Sequence, residues 1–158
     1  MTEGRLHIPV HLRWGDLDAY NHVNNVSMLK LLEEARVRAF WRPDVGEPPF
    51  PTAVLRTGIH TDMLTVIARQ EIEYLAVVPY SREPLDVQMW FSKIGGSSVE
   101  VCYEVWSPVD AAERIPFVRA NATLVLVDSA TTRPIRIPPE VRDVWSPYQG
   151  HPVAFTRR

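Results

Sequence analysis

Apolar and polar residues alternate at the start of the chain, Leu6, Ile8, Val10, Leu12 and Trp14 against His7, Pro9, His11 and Arg13. A period of two belongs to a strand with one buried face, so the first predicted element is a β-strand. Pro9 lacks a backbone donor, which puts this strand at a sheet edge or turns the proline to an unpaired side. After a polar turn the period changes. Met28, Leu29, Leu31, Leu32, Ala35, Ala39 and Phe40 recur at helical spacing, and Asn24 or Asn25 can cap a helix from Val26 to about Trp41, ended by Pro43. The broad apolar arc predicts a helix embedded against a sheet, with Glu34 and Arg38 at i, i+4 on its wet side.

From Pro43 to about Thr65 the pattern is irregular and proline-rich, reading as a long connection with one short element near Ala53 to Leu55. Four strand-like runs follow, at about 66–77, 85–94, 97–106 and 118–127. Leu85, Val87, Met89 and Phe91 alternate with Asp86, Gln88, Trp90 and Ser92. Val99, Val101, Tyr103 and Val105 alternate with Ser98, Glu100, Cys102 and Glu104, so each strand is predicted to have one apolar face. Ile94-Gly95-Gly96-Ser97 supplies a hairpin between them. Pro138-Pro139-Glu140 opens a short helix through Trp145, because proline is tolerated in a first helical turn. The pattern predicts an α+β domain over residues 1–147, a strand, a long helix and an antiparallel meander of four strands, followed by a loose tail over 148–158.

Length and composition leave that picture intact and narrow the function. A chain of 158 residues, 46% of them hydrophobic, suits a single core. A net charge of -2 with interspersed signs gives no field for nucleic acid or an anionic membrane. Cys102 is the sole cysteine, so no intrachain disulfide can form. No signal-peptide pattern opens the chain and no apolar run approaches the ~18 residues of a membrane span, which points to a cytoplasmic protein. His7 and His11 share a strand face without an assured third ligand, and His60-Thr61-Asp62 stands alone in a loop, so no metal and no cofactor is expected. Cys102 has no identifiable base beside it and reads as core packing.

The chemistry concentrates between the first strand and the helix. The stretch Arg13-Trp14-Gly15-Asp16-Leu17-Asp18-Ala19-Tyr20-Asn21-His22-Val23-Asn24-Asn25, followed by Glu33-Glu34-Ala35-Arg36, resembles the 4-hydroxybenzoyl-CoA thioesterase-like branch of the hotdog superfamily. Weaker support comes from Glu73-Tyr74-Leu75-Ala76-Val77-Val78-Pro79, Gly96-Ser97-Ser98 and Ile137-Pro138-Pro139-Glu140. The resemblance implies a hotdog fold, a curved antiparallel sheet wrapped around one long central helix. It also implies an acyl-CoA substrate and a homodimer or homotetramer with the site at the subunit interface.

By the same resemblance Asp18 is the catalytic carboxylate, as nucleophile or general base, and the backbone N–H of Asn25 receives the oxyanion. A helix N-terminus has unpaired donors suited to that task. Without the motif, Asp18 reads as a turn residue binding nearby amides, and Asp16 keeps that reading. Asn21, His22 and Asn24 join the predicted substrate-binding set, with Asn21 standing where the family often has glycine and able to adopt φ > 0. Met28 stands where the family often has tyrosine, implying a greasier acyl pocket. Tyr74 is a candidate pocket residue. Lys93, Gly96, Ser97 and Ser98 are candidate phosphate or pantetheine contacts, because a cation, open amides and hydroxyls share one hairpin; Arg82 and Arg142 are further candidates. Glu33 and Glu34 are alternative carboxylates on the helix, a salt-bridged role being the competing reading. A non-catalytic acyl-CoA or acyl-carrier binding domain and an enoyl-CoA hydratase-type hotdog stay open as alternatives.

Overall fold

A computed structural model describes residues 4–46, 48–56 and 61–156. Five strands form one antiparallel sheet: β1 (Leu6–Val10), β2 (Met63–Tyr74), β3 (Leu85–Ile94), β4 (Ser98–Trp106) and β5 (Pro116–Asp128). Two α-helices accompany it, α1 (Asn25–Phe40) and α2 (Pro139–Trp145). The spatial order is β1-β3-β4-β5-β2. β3, β4 and β5 are a meander, but β2 is not part of it. β2 crosses to the far edge and pairs with β5, from Met63 opposite Asp128 to Tyr74 opposite Val118. The expected four-strand meander is therefore corrected to three strands plus a crossover. Alternation reports which face a strand buries, not which strand lies beside it.

β1 is an edge, as Pro9 requires. The Pro9 carbonyl accepts a hydrogen bond from the Arg38 guanidinium of α1, so this side of the residue, where a strand N–H would also point, faces away from β3. The sixteen residues of α1, about 24 Å at 1.5 Å per residue, bury Met28, Leu31, Leu32, Ala35, Arg36, Ala39 and Phe40. The arc is narrower than the sequence suggested. Leu29 is exposed, as are Val26 and Val37. Arg36 crosses the core to donate to the Tyr103 hydroxyl at 3.2 Å, and burial pushes the pKa of that phenol up to about 12. At the other end of α1, Phe40, Phe91 and Trp145 stack with ring centroids 5.0 to 5.5 Å apart. The element expected near Ala53 to Leu55 is a single parallel bridge, Leu55 to Trp41.

Two further expectations fail, on the outer face of the sheet and in the tail. Asp86, Gln88 and Trp90, opposite the predicted apolar face of β3, are all buried, whereas Cys102 is buried as expected. The tail from 148 is not loose either. Gln149 bridges Phe91, the Trp90 indole N–H donates to the His151 carbonyl at 2.7 Å, and Val153 packs on Trp90 and Cys102. Arg119 then holds the Ala154 carbonyl at 3.0 Å and Thr156 binds Glu73. The tail thus straps the outer face of the sheet from β3 to β2. Backbone carbonyls and one valine make most of these contacts, and neither leaves a pattern in sequence.

Candidate active site

The loop between β1 and α1 is built as a pin. A 3-10 turn at Trp14–Asp16 ends with Asp16 buried, its carboxylate accepting from the Arg13 amide at 2.7 Å and the Arg13 guanidinium at 3.2 Å. Leu17 pairs antiparallel with Val23, and the Asp18 amide donates to the His22 carbonyl at 2.9 Å. Asn21 closes the turn between them at φ 61, a left-handed conformation that asparagine tolerates better than most residues. The pin is fixed to the segment after β2 through His22–Pro79 pairing and a Val23 N–H to Val78 carbonyl bond of 2.9 Å. It is fixed to the helix through the Asn24 amide, which donates to the Asp16 carbonyl at 2.8 Å. Asp16 is thereby a structural residue of the turn.

Asp18 is half-buried, and one of its oxygens accepts from the Tyr20 amide at 2.8 Å. Among the described residues the other oxygen has no partner. Asn24 is the N-cap of α1, its side chain accepting from the Val26 amide at 2.8 Å. Asn25 is the first helical residue, and its N–H has no intrahelical acceptor by geometry. No acceptor among the described residues takes it up. Its carbonyl accepts from the Tyr74 hydroxyl at 3.2 Å, which draws the end of β2 to the helix entry; partial burial pushes the Tyr74 pKa up, keeping the phenol protonated. Asp18, Asn21, His22, Asn24, Asn25 and Tyr74 are therefore brought together. The sequence did not single out Val78 and Pro79 as partners of the pin, nor Tyr80, whose ring meets the exposed Trp14 edge-on at 5.3 Å.

Lys93, Gly96, Ser97 and Ser98 are not brought to that place within one protomer. Asp18 follows the end of β1 that pairs with Leu85, whereas the hairpin follows Ile94 at the opposite end of β3, roughly 30 Å away at about 3.4 Å per residue. Arg142 is a clamp on this hairpin, donating to the carbonyls of Ile94 at 3.3 Å and Gly95 at 2.6 Å. That use corrects its expected role toward phosphate. Lys93 is exposed, and the Gly96 carbonyl is taken by the Ile137 amide. Met28 is buried under the first turn of α1, and Arg82 is exposed. Glu33 and Glu34 are exposed on α1 beside the β1 edge. Of the loop histidine and its neighbours, His60 lies outside the described residues. Among the described residues no group of three or more His, Cys, Asp or Glu could hold a metal ion, and no helix is long and apolar enough to cross a membrane.

A protein-family comparison matches residues 12–144 to the thioesterase-like superfamily. No curated protein matches the sequence significantly. Among solved structures, a protein from Pseudomonas aeruginosa superposes with a TM-score of 0.71 at 21% identity, covering 94% of each chain. A predicted thioesterase from Bacillus stearothermophilus gives 0.70 at 18% identity, covering 94% of this chain and 99% of the other. A variant of 4-hydroxybenzoyl-CoA thioesterase in complex with 4-hydroxybenzoyl-CoA gives 0.68 at 14% identity, covering 89% and 98%. At these identities the likeness is one of fold, a hotdog-like sheet and helix.

Proposed function

Because the chain belongs to the thioesterase-like superfamily, we propose that it hydrolyses an acyl-CoA thioester to a carboxylic acid and CoA at the entry of α1. The observation that carries this reading is the joint presentation of a half-buried carboxylate with one oxygen open, Asp18, and an unengaged amide at the first helical residue, Asn25. The thioester carbonyl oxygen sits against the Asn25 N–H, where the positive end of the helix favours the negative charge of the tetrahedral intermediate. Asp18 either takes a proton from the water that attacks the carbonyl carbon or attacks it itself, forming a mixed anhydride that water then opens; in both cases the C–S bond breaks and CoA leaves as the thiolate. Asn24 supports the site by satisfying the Val26 amide with its own side chain, leaving the Asn25 amide to the substrate. Tyr74 holds the carbonyl of Asn25 and with it the direction of the first turn.

The working unit in this reading is an oligomer. Edge strand β2 exposes Leu64, Val66, Ile67 and Tyr74, and such an edge needs a cover. Two-fold antiparallel joining of two β2 edges lays the partner's hairpin end beside this protomer's Asp18 end. That arrangement gives Lys93, Gly96, Ser97 and Ser98 a place near the CoA of the neighbouring site. A cytoplasmic setting belongs to the same proposal, in keeping with a buried, unpaired Cys102.

One observation favours a second reading, a non-catalytic acyl-CoA-binding domain: the bond from the Tyr20 amide gives Asp18 an ordinary turn role. Thiol release from short, long and aromatic acyl-CoAs separates the two. The proposal expects turnover of at least one of them, lowered at least ~100-fold by Asp18→Asn. Saturable binding without turnover would establish the second reading. Water addition to an enoyl-CoA without thiol release would instead identify a hydratase.

A further inference from the structure

Helix α1 buries a cation that no acid among the described residues neutralises. Arg36 is 6% exposed, and its sole hydrogen-bond partner among the described residues is the Tyr103 hydroxyl, reached by Nη1 at 3.2 Å. That phenol is neutral, since burial pushes its pKa up to about 12. No carboxylate pairs with Arg36 among the described residues. Glu33, one turn earlier, lines a hollow on the β1 side of the helix with Lys30, Glu34 and Arg38, and Arg36 does not. A guanidinium taken out of water without an anion is costly. Among the described residues, the side-chain atoms that are both covered and unpartnered are limited to His7 Nε2 and Ser92 Oγ, so Nε and Nη2 of Arg36 still touch solvent. The charge is buried yet open to a ligand.

A path to it starts at the proposed thioester site. Asn25, Leu29, Leu32 and Arg36 are spaced i, i+4, i+7 and i+11, so they share one flank of α1. Leu29 is exposed on that flank. The opposite wall is β2, tied to the start of α1 by the Tyr74 hydroxyl on the Asn25 carbonyl. Register supplies the floor: Tyr103 pairs with Ala120, Ala120 with Ile72, and Ala122 with Gln70. The two alanines of β5 leave a trough between helix and edge strand, in which Ile72 is half-buried and Gln70 exposed. The β2 residues opposite the inward row of β5 are Thr65, Ile67, Gln70, Ile72 and Tyr74. None is acidic, so a second copy joined through that edge adds no carboxylate in this row.

We infer that this flank receives the acyl chain of a substrate with a carboxylate at its far end, and that Arg36 binds that carboxylate. The inference rests on the proposed thioester site and names its substrate class. With the thioester oxygen on the Asn25 N–H, the chain runs over Leu29 toward Arg36. Nη1 is taken by Tyr103, and the edge formed by Nε and Nη2 holds a carboxylate through two parallel bonds. A methyl-ended chain leaves the buried charge unmatched, whereas a carboxylate neutralises it. At 1.5 Å per residue Arg36 lies about 16 Å along the axis from Asn25. Helical side chains lean back toward the N-terminus, so a chain of medium length spans the gap.

Steady-state kinetics with adipoyl-, suberoyl- and sebacoyl-CoA against hexanoyl-, octanoyl- and decanoyl-CoA tests the assignment. At least one dicarboxylic monothioester should exceed its methyl-ended counterpart in kcat/KM by about tenfold or more, the worth of one charge-assisted interaction. Arg36→Gln should bring that ratio close to unity, a change of selectivity that a merely structural arginine would not produce. Calorimetric affinities of the Asp18→Asn protein for the same pairs should show the same preference, and its loss when Arg36→Gln is added. The comparison within the parent protein stands whether or not the variant folds. Equal or better use and binding of every methyl-ended chain, or a preference that survives Arg36→Gln, would overturn the inference. Absence of thiol release from all six thioesters would sink the hydrolytic reading alone, because the binding preference reads Arg36 without turnover.

Discussion

Asn21 is the point where the loop before α1 reverses, and its φ of 61 sets what the position accepts. Glycine should be neutral there, whereas Asn21→Ala should cost ~1–2 kcal/mol of stability, read by urea unfolding. Asp86 is the other residue on which much hangs. Removing it strands Arg114 and His7, so Asp86→Ala should destabilise by about 3–5 kcal/mol. Its carboxyl titrates below the unfolded value, so the stability it confers is complete above the unfolded-state pKa of ~3.9 and is lost as pH falls through the lowered native one. Asp86→Asn should flatten this acid limb of the unfolding profile. The two residues differ in how far the sequence discloses them. The turn at Asn21 is local and its chemistry can be read from neighbours, as could the place of Asp16 in the turn. Asp86 depends on His7 and Arg114, 79 and 28 positions away, and alternation alone assigns it to water.

The helix limits were legible because both are set by local chemistry: Asn24 caps the start and Trp41 stands two residues before Pro43 at the end. Asn24→Ala should lower stability by about 1 kcal/mol. It should also reduce turnover more than it raises KM, because the freed Val26 amide then competes with Asn25 for the developing oxyanion. Steady-state kinetics on the best acyl-CoA substrate would show the split. β3 was legible to the residue, Leu85 to Ile94, since its alternation is bounded by a proline and a glycine pair. The place of β2 was not, because a crossover depends on pairing rather than pattern. The tail escaped for a similar reason. Ending the chain after Tyr148 removes Val153 and the acceptor of the Trp90 indole, so stability should fall by about 1.5–3 kcal/mol for the buried valine alone. Tryptophan emission should shift to the red as Trp90 becomes wet.

At the scale of the molecule, Asp18 and the Gly96 hairpin lie at opposite ends of one sheet, so the proposed chemistry includes assembly. Ile67→Lys places a charge on the open β2 edge, where Ile67 is 42% exposed. Light scattering should show a smaller particle, and thioesterase activity should fall with it while the secondary structure is kept. The sequence motif nominated Asp18 and the Asn25 amide for the proposed site, but their distance from the hairpin emerged only from strand order. What joins residue, helix and assembly in the proposed mechanism is one carbonyl group held between Asp18 and Asn25. The most direct measurement is a crystal structure of the Asp18→Asn protein with an intact acyl-CoA of the class it turns over. The account predicts the thioester oxygen at ~2.7–3.1 Å from the Asn25 nitrogen, with the carbonyl carbon facing the side chain at position 18. A thioester bound with its carbonyl away from the start of α1, or nearer Glu33 or Glu34 than position 18, would contradict it.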